Sequence, residues 1–221
     1  MRWAVAPCAL LLAAGPLHGQ HPRLDGRLDA ETRHAVLALA DSARLAGLPV
    51  EPLIQKALEG ESKGADGARI TAAVRALLDR LYAARAALGG DATEAELVAG
   101  AAALYVGVAP ERLERLRKAS PGERLALPLV ALADLVQRGV PPDTAAVAIE
   151  ALARARSGEV EYRLLRQLVE QDIRAGAVPA AAALERARAI TSSRQPGTMP
   201  RSGAGGPEGD GRDIGTRGSR P

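Results

Sequence analysis

Apolar residues in the middle of this chain recur at three- and four-residue steps, the period of a helix with one buried face. The pattern is clearest from Ala68 to Leu88. Ile70, Val74, Leu77, Leu78, Leu81 and Leu88 fall on one stripe there, while Arg69, Arg75, Asp79, Arg80 and Arg85 lie mostly off it. Asp66 is placed to cap the start of this helix and Gly89-Gly90 to stop it. Thr93-Glu94-Ala95-Glu96 reads as a capping box that opens a helix with Leu97, Leu104 and Tyr105 on one side. Ser120-Pro121-Gly122-Glu123 reads as another, with Pro121 at the first helical position. Pro128 then either kinks that helix or itself begins the main helix to Arg138. From Asp29 to Ile190 the sequence predicts consecutive helices.

Four junctions between these helices share one punctuation: Gly47-Leu48-Pro49, Gly107-Val108-Ala109-Pro110, Gly139-Val140-Pro141-Pro142 and Gly176-Ala177-Val178-Pro179. Glycine supplies the left-handed residue that ends a helix, and proline is pre-set for the start of the next. Glu51, Glu111 and Asp143 follow at three of them and suit the positive end of the helix dipole. Successive glycines lie 60, 32 and 37 residues apart, and the last two intervals match the length of a helical-hairpin repeat. The pattern therefore predicts an all-α fold, an array of antiparallel helical hairpins of the α-superhelix or repeat-like kind.

The two ends read differently. Residues 1–19 have the anatomy of a signal peptide: Arg2, an apolar run from Trp3 to Ala14, a Gly15-Pro16 break, and Gly19 at the cleavage position. The run is shorter than the roughly 20 apolar residues that span a bilayer. Removal of this segment predicts an exported protein, periplasmic or secreted, with no stable membrane insertion. Residues 20–28 form a lead-in segment and residues 29–190 the helical domain. Residues 191–221, rich in Gly, Pro, Ser and Arg, bury too little apolar surface to offset chain entropy, so a disordered tail is expected.

Composition sharpens the picture in two ways. There is no Phe, and the aromatics are Trp3, Tyr82, Tyr105 and Tyr162, so the core must be built from Leu, Val, Ile and many Ala, residues that favour close-packed helices over strands. The single cysteine, Cys8, lies in the signal segment, so the mature chain has no disulfide, no thiolate metal site and no cysteine nucleophile. The sequence pI of 9.4 invites a nucleic-acid reading. However, Asp25 to Ile190 carries 22 basic and 23 acidic side chains, and the positive excess sits at the ends. Without a basic face or stacking aromatics, nucleic acid is not expected as a partner. Nothing in the sequence calls for a cofactor.

The most unusual local stretch is Leu58 to Ile70, three glycines and several charges between apolar helices. It lacks the Gly-Lys-Ser/Thr of a phosphate loop and reads as a flexible helix–helix connection. Glu59, Lys63 and Arg69 there are the candidate contact residues for a protein partner. Glu61-Ser62 followed by Gly67-Ala68 resembles the catalytic Glu-Ser and following Gly-Ala of lytic transglycosylases, exported helical enzymes that cleave peptidoglycan; that resemblance implies Glu61 as general acid. The Leu-Met-Gln that continues the family's segment is replaced here by Arg69-Ile70-Thr71. His34, Asp41 and Ser42 supply nucleophile-set residue types without a spacing that makes them converge, and no paired histidines suggest a metal. The leading expectation is a non-catalytic protein-binding or scaffolding module of the cell envelope. The alternatives are a Glu61-dependent peptidoglycan-cleaving enzyme and a purely structural envelope protein. N-terminal sequencing of exported material should read from Gln20; a chain isolated intact from the cytoplasm with Met1 in place would overturn the export expectation.

Overall fold

The computed structural model describes residues 22–194, and these are all-α. Residues 1–21, which include the expected signal segment 1–19, and residues 195–221, most of the expected tail, lie outside the described part. Among the described residues a 3-10 turn at Pro22–Leu24 leads into nine helices: α1 (Ala30–Leu45), α2 (Glu51–Ser62), α3 (Gly67–Leu88), α4 (Glu94–Tyr105), α5 (Pro110–Ala119), α6 (Ala126–Gln137), α7 (Pro142–Arg154), α8 (Glu159–Arg174) and α9 (Pro179–Arg194). The helices stack in two rows. Helices α1, α3, α5, α7 and α9 pack in succession, as do α4, α6 and α8, and the rows interlock through contacts such as α3 with α4, α6 with α7 and α8 with α9. No helix among the described residues is long and apolar enough to cross a membrane.

The turns explain the direction reversals. At Gly47, Gly107, Gly139 and Gly176 the backbone is left-handed, with φ of 66°, 95°, 90° and 93°. The next residue's N–H then reaches back to a carbonyl in the last helical turn: Leu48 to Ala43 at 2.8 Å, Val108 to Ala103 at 3.1 Å, Val140 to Leu135 at 3.1 Å, and Ala177 to Asp172 at 2.9 Å. This ties off carbonyls that the helix end would leave unpaired and turns the following side chain inward. Leu48, Val108 and Val140 are buried accordingly. The fourth turn departs from this: Ala177 and Val178 are exposed, because the described array has no further helix to cover them. The chain makes the same turn after α7 with Arg156, at φ 51°, the one non-glycine residue in this conformation among the described residues, and Ser157 N–H bonds Leu152 O at 3.0 Å. Sequence punctuation could not flag it, because arginine carries no turn signal.

Asp66 caps α3, and Thr93 with Glu96 forms the capping box of α4, as the spacing predicts. The expected box at Ser120-Pro121-Gly122-Glu123 does not form. Ser120 instead follows the end of α5, and α6 begins only at Ala126. Pro128 sits in the first turn of α6, where its missing N–H has no intrahelical role, so neither a kink nor a start at Pro128 is needed. At the C-terminal end α9 continues through Thr191 to Arg194, four residues past the expected boundary. Thr191, Ser192 and Ser193 hydroxyls satisfy themselves on helix carbonyls one turn back. The lead-in segment is also more than a lead-in, because Leu24 is fully buried in the N-terminal core.

Two apolar clusters form the interior. One joins Leu24 with α1 to α4, the other joins the end of α3 with α4 to α9, and Ala92 and Leu104 pack against both. Leu53, Ile54, Leu81, Leu97, Leu132 and Ile149 are among the side chains with almost no exposure, each contributing about 1.5–3 kcal/mol of burial. Alanines on α6, α7 and α9 are buried beside them and let the helices approach closely. Gly100 marks one close crossing, where a Cβ would stand 3.1 Å from both Ala84 Cβ and Leu88 Cδ1.

Arg156→Gly tests the turn argument. A left-handed non-glycine residue costs about 1–2 kcal/mol, and the extra backbone freedom of glycine offsets part of that gain. The variant should be more stable by about 1 kcal/mol, or roughly 3 °C in Tm. A lower Tm in a thermal melt would contradict it.

Candidate functional site

The stretch from Leu58 to Ile70 is neither long nor loose. Helix α2 runs to Ser62 and α3 starts at Gly67, leaving only residues 63–66 between them. Two of its three glycines serve close packing, and Gly64 takes a left-handed turn with φ of 68°. A Cβ on Gly60 would stand 2.8 Å from Ile70 Cγ1, and one on Gly67 would stand 1.9 Å from Thr32 Oγ1. Glu59 and Lys63 come together in an ion pair that Lys56 joins at 2.9 Å. Hydrogen bonds from Lys63 and then Lys56 hold the Glu59 carboxyl down to about 2, and Glu59 in turn raises Lys63. Arg69 is not part of this group; its Nε lies 3.3 Å from Asp66 Oδ2 on a well-exposed surface.

Glu61 projects from the last turn of α2 and pairs with Arg27 of the lead-in segment. The polar cleft beside it is lined by Arg23, Arg27, Gln55, Glu59 and Ser62, and not by Glu61. His34 is exposed on α1, Asp41 pairs with Arg44, and the Ser42 hydroxyl bonds Ala38 O at 2.9 Å, so these three residues do not converge. Among the described residues no group of three or more His, Asp or Glu side chains is arranged to hold a metal. The tyrosines divide. Tyr162 is buried, and that burial, followed by the charges of Glu123 and Glu161, pushes its hydroxyl up to about 12. Tyr82 and Tyr105 are exposed, and the Arg80 guanidinium sits 5.0 Å from the Tyr105 ring centroid.

Two polar constellations were not foreseen. The first is centred on Glu96, which is 3% exposed. Its Oε2 accepts from Thr93 N at 2.8 Å and Thr93 Oγ1 at 2.9 Å, as the capping box requires. Its Oε1 accepts from Arg117 Nη2 of α5 at 2.6 Å and from the Leu125 N–H just before α6 at 2.7 Å. Arg117 also donates to Glu123 O at 2.9 Å. One carboxylate thus joins α4, α5 and the connection into α6. Burial alone would raise its pKa, but the N–H groups of Leu125 and Thr93 and the Arg117 guanidinium outweigh it and hold it at about 2. The second constellation is a ladder of ion pairs, within the rows from Arg112 to Asp143 at 2.9 Å, from Arg166 to Asp134 at 2.6 Å and from Arg138 to Glu170, and between the rows from Arg186 to Asp172 at 2.6 Å. Most of these partners lie about one hairpin apart in sequence. At Asp134, burial would raise the pKa, and Arg138 and Arg166 together lower it.

A cleft of about 370 Å³ opens next to the Glu96 joint. The α5–α6 connection and the first turn of α6 form one wall, through Ser120, Leu125, Leu127 and Pro128. The α7–α8 turn and the start of α8 form the other, through Arg156, Ser157, Glu159 and Tyr162.

Glu96→Gln keeps the side-chain shape and removes the charge. A carboxyl held near 2 against an ordinary value of 4.5 contributes about 3 kcal/mol at neutral pH. Because the folded pKa is depressed, that contribution is complete above about pH 4.5 and fades as pH falls toward 2. Urea unfolding should place the variant about 3 kcal/mol below the parent at pH 7, with the gap closing in acid; a gap independent of pH would refute the assignment.

Compared with family models, curated proteins and solved structures, the chain shows no match.

Proposed function

We propose that the protein is an exported, non-catalytic helical module that binds or scaffolds a protein partner in the cell envelope. The observation that carries this reading is the apolar surface of the row formed by α4, α6 and α8. That row leaves Val98, Tyr105, Val130, Val160 and Leu164 exposed on three successive helices. Isolated exposed apolar residues are ordinary, but a series across neighbouring helices is the surface that repeat arrays offer to partners. Tyr105 is braced by Arg80, which lowers the entropy cost of using it as an anchor. The contact residues expected from the sequence, Glu59, Lys63 and Arg69, lie at and beside the α2–α3 connection. Arg27 already engages Glu61, the carboxylate of the peptidoglycan-cleaving alternative.

Protein carrying Tyr105→Ser and Val130→Ser should retain its Tm but capture several-fold less of its partner from the native envelope fraction. Replacing Glu59, Lys63 and Arg69 together by Ala should weaken capture to a smaller extent, and Glu61→Gln should leave it intact. Undiminished capture by the Tyr105/Val130 variant would refute the face, and loss of phenotype with Glu61→Gln alone in a folded protein would favour the enzyme.

A further inference from the structure

The 370 Å³ cleft between the α5–α6 connection and the α7–α8 turn combines features that the packing of the array does not require. One of its walls includes the start of α6. That helix has no side-chain cap and no acidic residue in its first turn, and its capping position is occupied by Leu125. Pro128 removes one of the N–H groups that would otherwise point out of the first turn, leaving those of Ala126 and Leu127 at the positive end of the helix. By contrast, α1, α3 and α4 are capped by Asp29, Asp66 and Thr93, and α2, α5 and α7, which also lack a side-chain cap, carry Glu51, Glu111 and Asp143 in their first turns.

The second observation is a hydroxyl. Ser120 lines the cleft, is 5% exposed, and its Oγ has no hydrogen-bond partner. Ser157 Oγ, on the opposite wall, is likewise buried and without a partner. A buried hydroxyl without a partner is costly to a fold, and the two residues that carry these hydroxyls both line this cleft. Arg124, which forms no ion pair with the described residues, adds a positive charge at the rim. Arg156 holds its strained backbone in the same wall, and such strain concentrates where a side chain is needed at a set place. The remaining surface is apolar: Leu127, Pro128, Ala153 and Tyr162. Glu123 and Glu159 also stand on the cleft and disfavour a second negative charge.

We infer that this cleft binds a single terminal carboxylate carried on a short apolar body. The carboxylate lies against the N–H groups at the start of α6, between the Ser120 hydroxyl and Arg124. The apolar body packs on Leu127, Pro128 and Tyr162. A volume of 370 Å³ admits a ligand of roughly one or two residues' size. The carboxylate can belong to a free small acid or to the C-terminus of a polypeptide. This site does not rest on the outer face of the α4, α6 and α8 row.

Isothermal titration of the full-length protein tests it, using N-acetyl-leucine and an acetylated tetrapeptide ending in leucine, each as free acid and as carboxamide. The free acids should bind at least about tenfold more tightly than the carboxamides, the loss expected for a charge-assisted hydrogen bond. Comparable affinity of the two acids identifies a small carboxylate as the ligand; binding of the peptide acid alone identifies a polypeptide C-terminus. Ala126→Asp places an internal carboxylate at the same N–H groups, so it should hold or raise Tm while weakening the acid about tenfold or more. Ser120→Ala should also weaken the acid without lowering Tm, since it removes an unpaired buried hydroxyl. Equal binding of acid and carboxamide, no binding of any probe at millimolar concentration, or full binding by folded Ala126→Asp protein would overturn the inference.

Discussion

A single buried carboxylate holds the middle of this array together. Glu96 spends one oxygen on the cap of its own helix and the other on Arg117 and the Leu125 N–H, so α4, α5 and the approach to α6 share one hub. The two apolar clusters overlap at the same place, through Ala92 and Leu104. Alanine-rich helices slide past one another easily, since small side chains offer few interlocking knobs. A charged group with four donors in fixed directions supplies the register that alanines cannot. The ladder of Arg–carboxylate pairs repeats the device on a smaller scale between successive hairpins.

Much of the fold was legible because the features that decide it are local. A glycine followed by an apolar residue and a proline states where a helix ends, which side chain turns inward and where the next helix begins, and Leu48, Val108 and Val140 obey it. Asp66 and Thr93 were readable as caps for the same reason. What escaped was long-range. The pattern around Ser120 meets every local rule for a capping box, yet the segment instead makes a turn whose Leu125 N–H is claimed by Glu96, twenty-nine residues away. Glycines 60 and 67 looked like flexibility because a sequence cannot say that Ile70 and Thr32 press against them.

The same division governs the candidate sites. Glu59, Lys63 and Arg69 were grouped from the sequence as contact residues, but only Glu59 and Lys63, one helical turn apart, pair with each other, whereas Arg69 pairs with Asp66. The cleft at Ser120 and Ser157 had no sequence signal, since its walls come from two connections more than thirty residues apart and each contributes ordinary residues. The one readable hint would have been negative: a helix beginning Leu125-Ala126-Leu127-Pro128 has neither a cap nor an acid where both are usual.

The substantial contacts of every helix run only to its neighbour or to the helix after that. Closing such contacts requires small loops, whose entropy cost grows slowly with length, and no strand or helix must wait for a distant segment to arrive. A chain of this design can therefore assemble vectorially: once three consecutive helices are free of whatever conduit delivers them, the first already has its partners. The last helices are the exception, since Ala177 and Val178 at the final turn remain uncovered when all the described residues are in place. Among the described residues, order should accordingly be asymmetric in time and in strength, firm where a successor has locked each turn and loosest at the turn into α9.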